Sequence, residues 1–341
     1  MPTSNSTSKN QQGAVVILIL LILTALSCLA IELSKETLVD HASSTVLTST
    51  IRGNSLCDSG RLLAKHILLE DLSKTTSDHP FETWGNFDKT LRDTSHKFTT
   101  GVLTGRIEDE NGRFPINNIA LYNRNKQQAI TYQNVFLRLL KQQCEQLNIT
   151  SGTPEDLLLS IRIWQGEELT RSKEDDAWYK AQQPPYARPK RPFASPDEFL
   201  LLRWPNATKK DLEKLFYGTS SCKGLRELTT IWGAGPVNIN TTVMDIYAAL
   251  PETQNHTAEF ANGMMRYQAD PSNSFENDWY LLVAQQCGIK NNSLPINILG
   301  HNSNTFRVTL TANTGAGRRG ETVIVRRTKK GVIVLAAYGN S

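Results

Sequence analysis

An unbroken apolar run at residues 14–31 follows a polar leader, 1–13, that ends on Gly13, and it stops at Glu32. At about 1.5 Å per residue its eighteen positions make a helix of roughly 27 Å, long enough to cross the hydrocarbon core of a bilayer. Beyond it, apolar or small residues recur at helical spacing: Leu38, Ala42, Val46, Ser49, Leu56, Cys57, Gly60, Leu63, Ala64, Ile67 and Leu68. This pattern predicts one long helix whose second half lies on a domain. Gly53 and Gly60 weaken that helix by about 1 kcal/mol each relative to Ala, and Asp78-His79-Pro80 ends it, because the residue before a proline avoids helical geometry.

From Thr99 the period shortens to two, and residues 101–107 read as a strand entering the acidic turn Glu108-Asp109-Glu110-Asn111-Gly112. Helices are predicted over 127–147 and 154–164, then a polar, proline-rich stretch with Lys173-Glu174-Asp175-Asp176 and Pro184-Pro185-Tyr186. Another helix opens at Ser195, a capping residue with Pro196 in the first helical position. Further helices follow at 208–216, 224–232, up to Leu250, 256–268 and 275–287, and then strands at 305–312, 321–327 and 332–338. Such a meander buries one face and needs a cover, for which the long N-terminal helix is available.

The 341 residues, 39% hydrophobic, leave enough chain after the anchor for two compact units. The net charge of +4 is mild, and its basic residues cluster as Arg188-Pro189-Lys190-Arg191, Arg318-Arg319, Arg326-Arg327 and Lys329-Lys330. With no stacking motif or helix-turn-helix pattern beside them, they read as solvated faces and not as a nucleic-acid site. Of five cysteines, Cys28 lies in the apolar run, while Cys57, Cys144, Cys222 and Cys287 are far apart with no C-x-x-C. Those four permit two disulfides in an oxidising compartment, with three possible pairings, or free buried thiols. The six histidines are scattered, and no H-E-x-x-H, G-x-S-x-G or P-loop pattern occurs, which excludes the motif-bearing enzyme classes.

Gly13 followed directly by an uncharged helix resembles the leader of type IV pilins and type II secretion pseudopilins. That resemblance implies cleavage by a prepilin peptidase between Gly13 and Ala14, with the anchor retained and Ala14 usually methylated. Ala25-Leu26-Ser27 admits the alternative of a released signal peptide. In pilins the fifth residue after the cut is normally Glu; here it is Leu18. A buried charge without a partner costs several kcal/mol, so an apolar residue suits a subunit with no neighbour ahead of it, as it also suits an ordinary anchor.

The order of motifs along nearly the whole chain resembles the general secretion pathway protein K family, the large minor pseudopilin of type II secretion systems. The motifs are residues 13–31, residues 105–114, Ser195-Pro196-Asp197-Glu198-Phe199, Val237-Asn238-Ile239-Asn240-Thr241, and the terminal hairpin from Phe306-Arg307-Val308 to Arg326-Arg327. The resemblance implies an α+β fold: a pilin-like long N-terminal helix packed on an antiparallel sheet, with a large all-helical insertion. The expected boundaries are leader 1–13, membrane helix 14–31, periplasmic helix 32–75, pilin-like domain 76–114 and 238–341, and insertion 115–237. It further implies a single-pass protein of the bacterial inner membrane, its C-terminal domain in the periplasm, capping the pseudopilus with minor pseudopilins I and J and the other pseudopilins. Some members bind calcium. The chain departs from the family's acidic segment at Trp164-Gln165-Gly166-Glu167, leaving Glu167, Glu168, Asp175 and Asp176 as calcium candidates, with Glu108-Asp109-Glu110 a second acid-dense loop, or all of them as solvated loops. A type IV pilus minor pilin or adhesin shares the leader, and a membrane-anchored periplasmic enzyme is the remaining alternative.

Overall fold

The computed structural model describes residues 8–95, 101–120, 126–233, 235–253, 255–315 and 317–340; leader residues 1–7 and the change of pattern at Thr99 lie outside them. Helix α1 (Ser8–Lys74) runs unbroken for 67 residues, roughly 100 Å. The apolar residues up to Leu47 stand exposed, including Leu38 and Val46, and burial begins at Ser49. From there Gly53, Leu56, Cys57, Gly60, Ala64, Ile67, Leu68 and Asp71 form one buried stripe at three- and four-residue spacing. The helix ends before the Asp78-His79-Pro80 break, which lies in the following turn.

That stripe lies on a four-stranded antiparallel sheet ordered β1 (Val102–Asp109), β2 (Thr305–Asn313), β3 (Arg318–Thr328) and β4 (Gly331–Asn340). Val102 pairs with Asn313 and Asp109 with Phe306, so the first strand joins a C-terminal meander nearly two hundred positions away. Inward residues Leu103, Ile107, Phe306, Val308, Leu310, Val323 and Val325 pack against α1 and against Trp84, Phe87 and Leu91, the last two on a short helix, α2 (Phe87–Ser95), which the sequence pattern did not mark. Gly60 is the point of closest approach: a Cβ there would lie 2.8 Å from Leu103 Cδ2 and 2.9 Å from Leu310 Cδ2. The residue that lowers helix propensity thus lets the helix seat on the sheet. Gly60→Val is expected to destabilise the full-length chain by about 1–3 kcal/mol in urea denaturation; an unchanged midpoint would show a looser seating.

The second core is helical. It gathers α3 (Lys126–Gln146), α4 (Pro154–Trp164), α5 (Ser172–Lys180), a 3-10 turn (Pro196–Leu201), α6 (Lys209–Tyr217), α7 (Leu225–Leu228), α8 (Met244–Ala249), α9 (Thr257–Ala269) and α10 (Trp279–Gln286). Thr153 caps α4 and a capping box of Thr208 and Asp211 opens α6, satisfying amides that the helix leaves unbonded. Ser195 also caps, through a box with Glu198, but opens only a 3-10 turn. The helical core extends through Phe260, Trp279 and Val283 to Ile298, so the helical unit does not end at 237 as expected: the chain touches the sheet domain at Asn238 and departs again. Helix α5 occupies the stretch read as a polar loop, and the helix expected over 224–232 shrinks to α7 and a two-residue strand, Thr229–Thr230, paired parallel with Phe114–Pro115.

Candidate functional site at the anchor helix and the domain junction

Gly13, Ala14 and Leu18 all lie on the exposed first part of α1, Leu18 57% exposed. An eighteen-residue window in this part is apolar enough to cross a membrane, and none of it is buried. A Cβ at Gly13 would meet nothing within 4 Å. The rest of the fold leaves this part of the rod bare.

At the other end of α1, buried polar side chains tie the two cores together. Asp109, closing β1, accepts hydrogen bonds from Asn111 N (2.7 Å), Asn238 Nδ2 (3.0 Å), Thr241 Oγ1 (2.5 Å) and Ser303 Oγ (2.5 Å). Burial pushes its carboxyl up to about 6, while the Ser303 and Thr241 hydroxyls and the Asn111 amide pull against that shift. Asn238 also reaches the Asp78 carbonyl (3.1 Å), whereas Asn240 faces the helical unit, accepting from Trp279 Nε1 (2.8 Å) and donating to Phe275 O (3.0 Å). Two asparagines in one motif thus serve opposite sides of the boundary. Gly112 permits the crossing, because a Cβ there would lie 2.6 Å from Thr241 Oγ1 and 2.8 Å from Thr241 O.

Beneath this knot Arg327 bridges Asp71 (2.6 Å) on the last turn of α1 and Asp78 (2.5 Å) in the turn that follows. Its side chain is only 3% exposed, which corrects the reading of Arg326-Arg327 as part of a solvated face. Arg188 corrects it too: buried, it binds Asp176 (2.6 Å), Glu168 (3.0 Å) and the Ile163 carbonyl (2.8 Å). The calcium candidates consequently carry cationic partners. Glu167 pairs with Arg162 (2.6 Å), Glu168 also with Lys190 (2.9 Å), and Asp175 with Arg171 (3.1 Å) and Arg203 (2.9 Å). The hydrogen bond from Arg188 lowers the pKa of Asp176; burial raises that of Asp175 against its two arginines. A hard divalent ion needs several free oxygens converging on one point, and these four carboxylates, spread over the guanidinium groups, do not fit it. Among the described residues the carboxylates that do converge are Asp71, Asp78 and Glu82.

The four cysteines outside the apolar run are free thiols. Cys57 sits in the sheet core, Cys144 in the helical core, and Cys222 and Cys287 pack against the latter. Cys222 Sγ lies 3.1 Å from Gln146 Oε1. Burial raises the thiol pKa of Cys144 to about 11 and also raises that of Cys57, which keeps both protonated and unreactive.

Residues 112–216, from the junction glycine to the end of the α6 core face, match the family model for Type II secretion system (T2SS), protein K. Over that stretch, which is under half of the chain, the sequence is similar to the type II secretion system protein K family. The stretch that carries the family's likeness is about the first half of the helical unit, including the arginine-laced α4–α5 region. One chain of the crystal structure of the GspK-GspI-GspJ complex from the enterotoxigenic Escherichia coli type 2 secretion system is similar in fold, with a TM-score of 0.60 at 16% identity, covering 84% of this chain and 94% of that one. No curated protein sequence matches the chain. The pilin-like α+β fold thus extends over both cores.

Proposed function

We propose that this chain is a minor pseudopilin that starts and caps the periplasmic pseudopilus of a type II secretion system by assembly and not by catalysis. The observation that carries this reading is where the bulk lies. The helical unit attaches at the Asp109–Asn238 knot, over the C-terminal end of α1 and remote from the apolar anchor. A subunit built this way offers an anchor rod to lateral neighbours and blocks the position beyond its distal end.

Two further features support it. Leu18, where filament subunits carry Glu, leaves the subunit without a buried charge in need of a neighbour ahead. Leu38, Val46, Leu47 and Ile51, between the membrane part and the sheet, stay exposed on α1 and provide apolar surface for the helices of other pseudopilins. Minor pseudopilins I and J are the proposed partners, by analogy with the GspK-GspI-GspJ complex, and prepilin peptidase is the proposed processing enzyme. The anchor lies in the inner membrane and the two cores in the periplasm.

Co-expression of the full-length chain with the I and J pseudopilins of the same genome, followed by detergent extraction, is expected to give one ternary complex in size-exclusion chromatography. Elution of the chain apart from both partners would overturn the tip reading. Recovery on long surface fibres sheared from cells would favour the type IV pilus alternative.

A further inference from the structure

Strand β4 (Gly331–Asn340) forms one edge of the sheet, and among the described residues no strand lies on its far side. Its residues 332–338, Val-Ile-Val-Leu-Ala-Ala-Tyr, hold no charge, no proline and no alternation of apolar with polar side chains. A strand so uniformly apolar is the kind buried on both faces inside a sheet, because each face then needs apolar side chains. Here both faces stay bare. Ile333 (56% exposed) and Tyr338 (45%) stand on the face they share with Arg326 and Thr322, and Val334 (42%) stands on the face it shares with Val325. The opposite edge, β1, shows the contrast, since it carries Arg106, Glu108 and Asp109 and packs against α2.

An edge strand leaves alternate backbone N–H and C=O groups unpaired, which makes it a template for another strand. The ends of β4 define the chemistry of that strand. Lys329 and Lys330 form the turn at its start, and Arg318 and Arg319 lie at its finish, where Gly320 pairs with Asn340 and a Cβ on Gly339 would lie 3.7 Å from Arg319 Nη2. Both lysines and both arginines are exposed, and among the described residues none of them has a carboxylate partner. Cations thus frame an uncharged apolar edge at either end. Two copies of this edge, paired in either direction, would set cation against cation, so like charge disfavours a homodimer.

We propose that β4 is a docking edge that takes, as a fifth strand of the sheet, an extended segment of a different polypeptide, apolar in its middle and acidic at both ends. Main-chain hydrogen bonds along β4 supply the affinity, and the charge match at its two ends sets the register. This surface is separate from the exposed Leu38, Val46, Leu47 and Ile51 of α1, and it stands whether or not the chain is a pseudopilin.

The probe is a fluorescein-labelled peptide with blocked ends, Asp-Glu-Val-Thr-Ile-Thr-Val-Glu-Asp, added to the full-length protein in detergent. Its anisotropy is expected to rise with protein concentration and to saturate. Replacing its acids with lysines is expected to weaken binding by about tenfold or more, through the loss of several exposed ion pairs. The same loss is expected when the protein carries Arg318→Glu, Arg319→Glu, Lys329→Glu and Lys330→Glu together, with circular dichroism checking that it folds. Methylating alternate backbone nitrogens of the peptide tests the main-chain contact without altering the protein: methyl groups on the edge facing β4 should abolish binding, and those on the other edge should not. Absence of saturable binding, equal binding of the acidic and lysine peptides, or equal binding of the two methylated peptides overturns the proposal. Tyr338→Cys chains that crosslink to each other through that position would make the edge a contact between copies, and this also overturns it.

Discussion

Replacing Gly13 with leucine is expected to leave the chain uncut, so that it runs in gels as the precursor, longer by the 13 leader residues, while staying membrane-bound and folded. On the proposed assignment, the peptidase would read the residue before the scissile bond, where a glycine lets an enzyme pocket approach the backbone. The same substitution does nothing to the fold, since a Cβ at this position meets no atom within 4 Å and α1 is helical through it. Leucine is a better helix former than glycine, by roughly 1 kcal/mol, so loss of processing could not be blamed on unwinding. Mass spectrometry of the mature amino terminus provides the measurement. A variant that still begins at Ala14 would remove the prepilin assignment, and one retained as precursor should also fail to support secretion.

Arg327→Met is expected to destabilise the protein by about 3–5 kcal/mol in urea denaturation, among the largest losses a single substitution produces. Methionine keeps most of the stem that packs on Phe306, above whose ring the guanidinium lies at 4.8 Å. What it loses is the charge between Asp71 and Asp78, both nearly inaccessible to water, and the hydrogen bond to the Ser303 carbonyl (2.8 Å). Breaking one side of a buried pair costs more than the pair itself contributes, because the remaining carboxylates stay desolvated and repel one another. A loss below about 1 kcal/mol would show that Arg327 is not the main compensating charge.

Both charges could be placed from periodicity, although their meeting could not. Val323, Val325 and Arg327 alternate along β3 with their side chains on the same face, and Ala64, Ile67, Leu68 and Asp71 share one stripe of α1. Reading Arg326-Arg327 as a solvated basic pair overlooked this alternation. The strands at 305–312, 321–327 and 332–338 and the α4 helix were legible for the same reason that made Arg327 readable: burial on one face imposes a period. Helix α5 was obscured because its sequence, Ser-Lys-Glu-Asp-Asp-Ala-Trp-Tyr-Lys, is polar, and its buried Asp175 is held by Arg171 and Arg203 and not by apolar packing.

The sequence by itself determined the long apolar N-terminal helix and the antiparallel meander, because each follows from spacing along the chain and from the need of an apolar face for cover, while the α+β class came with the family resemblance. The tertiary structure alone decided how far the helical unit reaches, which acids are paired with arginines, and that Asp71, Asp78 and Glu82 converge. These depend on contacts between residues far apart in the chain, such as Asp71 with Arg327 and Asp109 with Asn238. A linear pattern records which face a side chain occupies. Only the folded chain brings that face opposite its partner and removes the water between them, and that desolvation is what makes breaking such a pair costly.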